Sequence, residues 1–459
     1  MYSKIASHQF VEPTDRTTAR PVDLSTQLSC VFLVAAAAIS CGLFFYFVGK
    51  TAIRVPVYDM LDWLQFYDDR VRANDWLWYL WAPHSEHRIV FTRALIAIDI
   101  RWLGGNGTAF AIFDTLLWGL ALLTVWQIVF TSSRSQTFKI FSCSIVLLLL
   151  TPTYIVTTIS MPGPGAFMQT PSFALFSFVL LDNETDNAPL RMFYRGCALF
   201  CACLSPFGVS VGLLVWPVLI WLSWRAGMSK RWIASIIGTG LTCVTLYLWK
   251  MPPKGYQSPL DIQRLIGSID HGIRFLGLPW SHSEALTWPA RVVGVFILVV
   301  GVFVIIKSSF KSENLKRAQR IGAALILFAF LAAAAAAFGR VNIPGPTPIR
   351  YATFMLLAHL GLFLYVLPHL CVLWDGGRAR SLQWGAVVLA IAWLGHQVVV
   401  GDFAIREANH YNDAWSRFVE GEWTPDMLHY VYPNREQAIT ELQYLRDHHV
   451  GWTLTPNPN

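Results

Sequence analysis

Charge is what this sequence has least of. Only 14% of its 459 residues are Asp, Glu, Lys or Arg, against about 25% in a soluble domain. That shortage excludes an ordinary soluble globular protein. A hydrophobic share of 54% and a mean hydropathy of +0.45 point the same way. A disulfide scaffold is excluded by placement. The eight cysteines (Cys30, Cys41, Cys143, Cys197, Cys201, Cys203, Cys243 and Cys371) all fall in apolar stretches and none in a long polar loop. There they read as small buried hydrophobes. The chain also lacks internal repeats, low-complexity tracts and any basic, aromatic-interleaved soluble module, so no nucleic-acid partner is expected. The net charge of +7 then reads as the orientation bias of a membrane protein.

What the sequence does have is many apolar runs near 20 residues, the length that crosses a bilayer as a helix. The expected fold is an all-α polytopic transmembrane bundle of about eleven spans. They are placed at 28–48, 107–130, 140–159, 167–181, 190–204, 209–224, 232–249, 292–306, 321–338, 353–373 and 384–400. The fifth and sixth form a hairpin turning at Ser205-Pro206-Phe207-Gly208. Residues 1–27 are a polar, disordered cytoplasmic tail, and the first span is a retained anchor rather than a cleaved signal. Residues 28–401 form the membrane domain, and 402–459 a small appended outer segment.

Charge orients the bundle. One set of loops is short and basic, with Arg134 and Lys139, Arg191 and Arg195, Arg225, Lys230 and Arg231, Lys307 to Arg320, and Arg378 and Arg380. Such loops face the cytoplasm; the acidic patch at 182–186 is the exception. The opposite set holds the long loops, so the amino terminus is cytoplasmic and the carboxyl terminus outside.

The first outer loop, 49–106, concentrates functional groups. It holds Asp59, Asp62, Asp68, Asp69, Asp75, Glu86, His84, His87 and Arg88 among Tyr58, Trp63, Phe66, Trp76, Trp78 and Trp81. Aromatic anchors with wet ends suit the membrane surface. Asp59 to Arg70 has helical spacing. The segment 89–103 is amphipathic but carries Arg93, Asp99 and Arg101, and reads as a helix lying in the interface.

Four groups of residues could carry chemistry. Asp59 and Asp62 share a helical face, where a carboxylate could take a proton from an attacking hydroxyl; the alternative is a carboxylate solvated or paired with a neighbouring arginine. His84, Glu86, His87 and Arg88 could bond a sugar or phosphate, or form a structural loop network. Their spacing is not that of a zinc motif. Arg340, Arg350 and Tyr351 flank the outer loop GRVNIPGPTPIRY. A guanidinium grips phosphate oxygens with two bonds, although an arginine there could also anchor a helix end. Gln169 lies in MPGPGAFMQT, a Gly/Pro break that could line a cavity. Asp114 sits inside the second span and is expected to be wet or paired. His359, His369 and His396 are expected to serve packing.

Three stretches carry a resemblance. PVYDMLDW places Asp59 just after the first span, APHSEHRIVFTR is similar to an HNEHRI-type signature, and the later GR…RY loop completes the set. The layout resembles the GT-C superfamily of integral-membrane glycosyltransferases, and within it a bacterial branch. The resemblance implies a bacterial inner-membrane enzyme with an outward-facing site. It would move a sugar from a polyprenyl-phosphate donor of the undecaprenyl type to a glycan, lipid or protein acceptor. It also implies that the acid after the first span is the base. Here Asp59 is followed by Met60 and not by a second acid, so Asp59 and Asp62 both stand as the base. A single displacement would invert the sugar. No cofactor is required, and a divalent metal is optional. Two rivals remain: a flippase or transporter for lipid-linked glycans, and an O-antigen polymerase or ligase.

Overall fold

The computed structural model describes residues 24–51, 60–105, 107–133, 135–152, 158–159, 165–183, 185–252, 262–281, 288–310, 315–340, 348–375, 379–420, 422, 424 and 435–447. Residues 1–23 of the tail expected to be disordered, Asp59, and the loop between Arg340 and Pro348 lie outside them; the last four residues of that tail, 24–27, are instead the first turn of a helix. Among the described residues the chain is helical and has no strand; a single antiparallel bridge joins His84 to His87.

In chain order the helices are α1 (Leu24–Lys50), α2 (Met60–Arg72), α3 (Trp76–Trp81), α4 (Val90–Trp102), α5 (Thr108–Ser132), α6 (Gln136–Leu150), α7 (Ala166–Leu181) and α8 (Ala188–Leu204). Two 3-10 turns, Ser205–Phe207 and Ser210–Leu214, lead into α9 (Val215–Arg225). Then come α10 (Lys230–Leu248), α11 (Ile262–Leu276), α12 (Trp288–Ser309), α13 (Arg317–Arg340), α14 (Ala352–Leu373), α15 (Ala379–Val419) and α16 (Arg435–Asp447).

Seven helical stretches among the described residues are long and apolar enough to cross a membrane. They are Gln27–Lys50, Thr108–Ser132, Lys230–Leu248, Trp288–Ser309, Arg317–Arg340, Ile349–Leu373 and Arg380–Arg417. Each coincides with an expected span. The other four expected spans fall on shorter helices, α6 to α9, of 15, 16, 17 and 11 residues. A bilayer core needs about 20 helical residues, so these four do not cross by length alone. The span expected at 140–159 is cut at Leu150, because Thr151 precedes Pro152 and proline drives its predecessor out of the helical region. The break at Ser205–Gly208 is present, as two 3-10 turns rather than one continuous helix.

The bundle is built around α13 and α14. Gly322 and Gly361 let these helices touch backbone to backbone, since a Cβ on either would meet the other's carbonyl. Small residues serve helix contacts in membranes this way. By contrast α12 leaves Val295, Phe296, Val299, Phe303 and Ile306 exposed, a surface suited to lipid. At its carboxyl-terminal end α7 is fixed to α13. Arg320 grips Asp182 with two bonds of 2.9 and 3.1 Å, and Arg317 donates to the Asp182 carbonyl at 2.7 Å. The first acid of the patch that broke the basic pattern is thus paired with the start of α13.

A second core lies outside the bundle, where α2, α3 and α4 meet the start of α5 and the end of α15. It holds Leu61, Leu64, Tyr67, Tyr79, Ile96, Phe110 and Trp415. On α2 the buried positions recur every three or four residues, the stripe of an amphipathic helix. Helix α4 departs from the expected interfacial layout by turning Arg93 and Asp99 inward. Asp99 accepts from the N–H groups of Gly107 (2.7 Å) and Ala109 (2.8 Å), and so satisfies the start of α5. Helix α15 runs on past 401, where the last span was expected to end, because no strong breaker interrupts it. The following α16 docks on α2, with the Tyr444 hydroxyl 3.0 Å from Asp68 Oδ2 and 2.6 Å from Asp69 Oδ1.

Candidate functional site

The site is assembled by the first turn of α7. On one side lies the turn His84-Ser85-Glu86-His87. Its two histidines exchange both backbone hydrogen bonds at 2.8 Å, and Ser85 takes φ 49° to close it. Glu86 is exposed at the tip, while His87 is half-buried. His87 Nδ1 lies 3.0 Å from Ser210 Oγ and accepts from the Ser210 N–H at 3.2 Å. Accepting there puts the ring proton on Nε2, the nitrogen 3.8 Å from Glu86 Oε1. His84 takes the Trp63 indole N–H at 3.2 Å and meets that ring edge-on.

Ser210 follows Val209, and this segment is bonded to α7. Thr170 Oγ1 donates to the Ser205 carbonyl at 2.9 Å and accepts from the Val209 N–H at 3.0 Å. The Ser205 hydroxyl returns a bond to the Thr170 carbonyl at 3.1 Å. The neighbouring Gln169 is fully buried and donates to Asp114 Oδ1 on α5 at 3.1 Å.

The other flank of the same turn holds the arginines. The Phe167 ring lies 4.9 Å from that of Tyr351, and the Arg350 guanidinium sits over Phe167 at 5.4 Å. Arg340 Nε donates to the Tyr351 hydroxyl at 3.0 Å, with its guanidinium over that ring. Thr353 ties the arrangement down by donating to the Phe167 carbonyl at 2.7 Å. Two residues before Arg340, α13 borders an apolar cavity of about 240 Å³, lined by Ile269 and Leu276 of α11, Leu298 of α12, and Phe330, Ala333 and Ala337 of α13. The short side chains of α13 make that space.

Arg88 has another task. It is fully buried, and its Nε donates to the Tyr247 carbonyl at 2.6 Å. Its Nη groups donate to the carbonyls of Trp81 and Trp249, and its plane stacks 4.8 Å from the Trp81 ring. The side chain offers no surface to a ligand. Arg93 works alongside it: 3% exposed, it donates to the Ala82 carbonyl and lies over Phe66. Burial pushes the Arg88 guanidinium down from its ordinary range and Arg93 down to about 10. Two buried cations thus hold the segment that leads into the turn. The sequence placed Arg88 among ligand contacts and Arg93 on a surface helix. What marks them as clamps is a set of carbonyls from α3 and α10, which sequence spacing does not reveal.

Asp62 stands apart from this convergence. Its Oδ1 accepts from Gln437 Nε2 of α16 at 3.2 Å, and its link to the turn is through Trp63 and His84. Asp59 precedes the first described residue of α2. Arg350 and Tyr351 thus pack on Phe167 of α7, with Arg340 bonded to Tyr351; His87 reaches α7 through Ser210 and the Val209–Thr170 bond; Gln169 faces Asp114; and His84, Glu86 and Asp62 lie on the α2 side of the turn. His359 accepts from the Trp280 indole at 3.1 Å within the bundle, a packing role.

Compared with known proteins, the chain matches no family model, no curated protein and no solved structure. Its function therefore has to be argued from the site. Chemically, that site offers two guanidinium groups beside an apolar space, a neutral imidazole beside a carboxylate, and acids on α2 near aromatic anchors.

Proposed function

We propose that this chain is an integral-membrane glycosyltransferase that moves a sugar from a polyprenyl-phosphate donor to a glycan, lipid or protein acceptor. The observation that carries the reading is the convergence at the first turn of α7. Phe167 packs against Tyr351 and Arg350 there, Gln169 bonds Asp114, and Thr170 bonds the segment that meets His87, while α13 borders an apolar cavity two residues before Arg340. A hydrocarbon tail suits that cavity, and a phosphate suits the arginines at its end. Arg340 uses Nε for Tyr351, which leaves its Nη pair for an oxyanion. The uncapped start of α7 adds the positive end of a helix.

In this mechanism the donor enters sideways from the bilayer and its phosphate rests on Arg340 and Arg350. An acceptor hydroxyl comes from the outer side, and Asp59 or Asp62 takes its proton as it attacks the anomeric carbon. The arginines meet the charge that grows on the leaving phosphate. One displacement inverts the sugar, and no metal is required. His84, Glu86 and His87 bond the sugar or the acceptor, while Arg88 holds the turn that presents them. The protein crosses a bacterial inner membrane with its amino terminus in the cytoplasm and its carboxyl terminus outside. Eleven crossings require α6 to α9 to pass through a locally thin or protein-lined region.

The test is mass spectrometry of surface glycans and glycoproteins in a deletion strain. Loss of a single sugar, restored by the wild-type gene and not by a variant carrying both Asp59→Asn and Asp62→Asn, supports the transferase. Loss of the whole glycan chain points to a polymerase, ligase or flippase, and full restoration by the double variant sinks the base assignment.

A further inference from the structure

Asp114 and Gln169 are fully buried, on α5 and α7, and among the described residues neither takes part in an ion pair. One bond joins them, from Gln169 Nε2 to Asp114 Oδ1. The other two oxygens, Asp114 Oδ2 and Gln169 Oε1, are buried without a hydrogen-bond partner. An ionised carboxylate only accepts, and an amide oxygen only accepts. As a carboxylate, Asp114 would leave two acceptors and a full charge stranded away from water, an arrangement that buried groups avoid by neutralising. Exchanging the amide oxygen and nitrogen of Gln169 would set two acceptors face to face and ask for a proton again.

We infer that Asp114 carries a proton in the resting protein and closes a two-bond pair with Gln169, donating Oδ2–H to the amide oxygen while accepting the amide N–H. The proton repairs the whole count: one donor serves the stranded amide oxygen, and the carboxyl loses its charge.

The position gives the pair its consequence. Gly165 precedes the first turn of α7 and lies against Asp114 Oδ2; a Cβ on it would collide with that oxygen. No side chain caps this end of α7. The positive end of α7 offsets part of the cost of a charged Asp114 but gives Oδ2 no hydrogen bond; a charged Asp114 would cancel that end, whereas a neutral acid leaves it available to an anion. Asp114 is thus a positioning residue: it braces Gln169 and the α7 start without spending their polarity. This second step rests on the reading of the α7 start as the phosphate site; the protonation itself does not.

Infrared difference spectroscopy of the protein in nanodiscs at neutral pH tests the pair directly. Wild type minus Asp114→Asn should show the carbonyl stretch of an un-ionised carboxyl, moved by exchange into D2O. Absence of that band at neutral pH overturns the inference, whatever the protein transfers. Binding of polyprenyl phosphate in the same nanodiscs tests the second step. Asp114→Leu should bind about tenfold more weakly, the effect of stranding the Gln169 amide. Asp114→Asn can rebuild both bonds without charge and should rescue binding. If Asp114→Asn binds as poorly as Asp114→Leu while the wild-type band is present, the positioning role is overturned. If wild type binds no polyprenyl phosphate, the site reading fails and the second step falls with it.

Discussion

Arg88→Met keeps most of the side chain's volume and removes every donor that clamps the turn. Three carbonyls, the buried one of Tyr247 and the part-buried ones of Trp81 and Trp249, then lose this donor. A stranded buried acceptor costs about 1–3 kcal/mol. We take the low end, because removing a buried cation also removes its desolvation cost. Three such groups give about 3 kcal/mol, which raises the open population of the turn about a hundredfold at 1.4 kcal/mol per factor of ten. The assay is protease added to the reconstituted protein, following cleavage within residues 82–88 where reclosing outpaces cutting. Arg88→Lys should fall between, since one ammonium cannot reach three carbonyls held by a planar fork. Arg406→Met, on an exposed face of α15, is the control. Cleavage of Arg88→Met at the control rate, together with loss of transfer, would refute the clamp and return Arg88 to the ligand.

Three further outcomes are expected. Gly165→Ala places a methyl on Asp114 Oδ2 and should lower thermal stability by about 1–3 kcal/mol. Adding Asp114→Ala should recover part of that loss, and strictly additive losses would deny the contact. Arg340→Lys and Arg350→Lys each keep the charge but lose the fork; donor KM should rise about tenfold with the melting temperature near wild type. Wild-type kinetics in both variants would remove the arginines from the site. A reporter fused after Asn459 should be active outside and one fused after Arg317 in the cytoplasm; the reverse would invert every placement proposed here.

How much of this was legible in the sequence differs between bundle and site. Hydropathy located the long helices because lipid-facing and core-facing residues are both apolar, as on α12. The helical spacing after Asp59 became α2, and the break at Ser205-Pro206 was visible as turn chemistry. Charged residues on α4 misled, because a cation or acid reads as surface until its partner is known. Arg93 finds the carbonyl of Ala82, and Asp99 finds the N–H groups that open α5. Gln169 and Asp114 each drew attention singly, but not as a pair, since they are 55 residues apart. The role of Thr170 in joining α7 to the segment that meets His87 had no signal in the sequence. Nor did the docking of α16 on α2 through Tyr444, where a tyrosine in a polar tail looks like any other.

Native mass spectrometry of the purified protein with undecaprenyl phosphate tests the central claim most directly. One lipid phosphate should bind per chain, the matching prenyl alcohol should not, and binding should vanish when Arg340→Gln and Arg350→Gln are combined. No complex in wild type, or equal binding of phosphate and alcohol by wild type and double variant, would contradict a phosphate site at the start of α7.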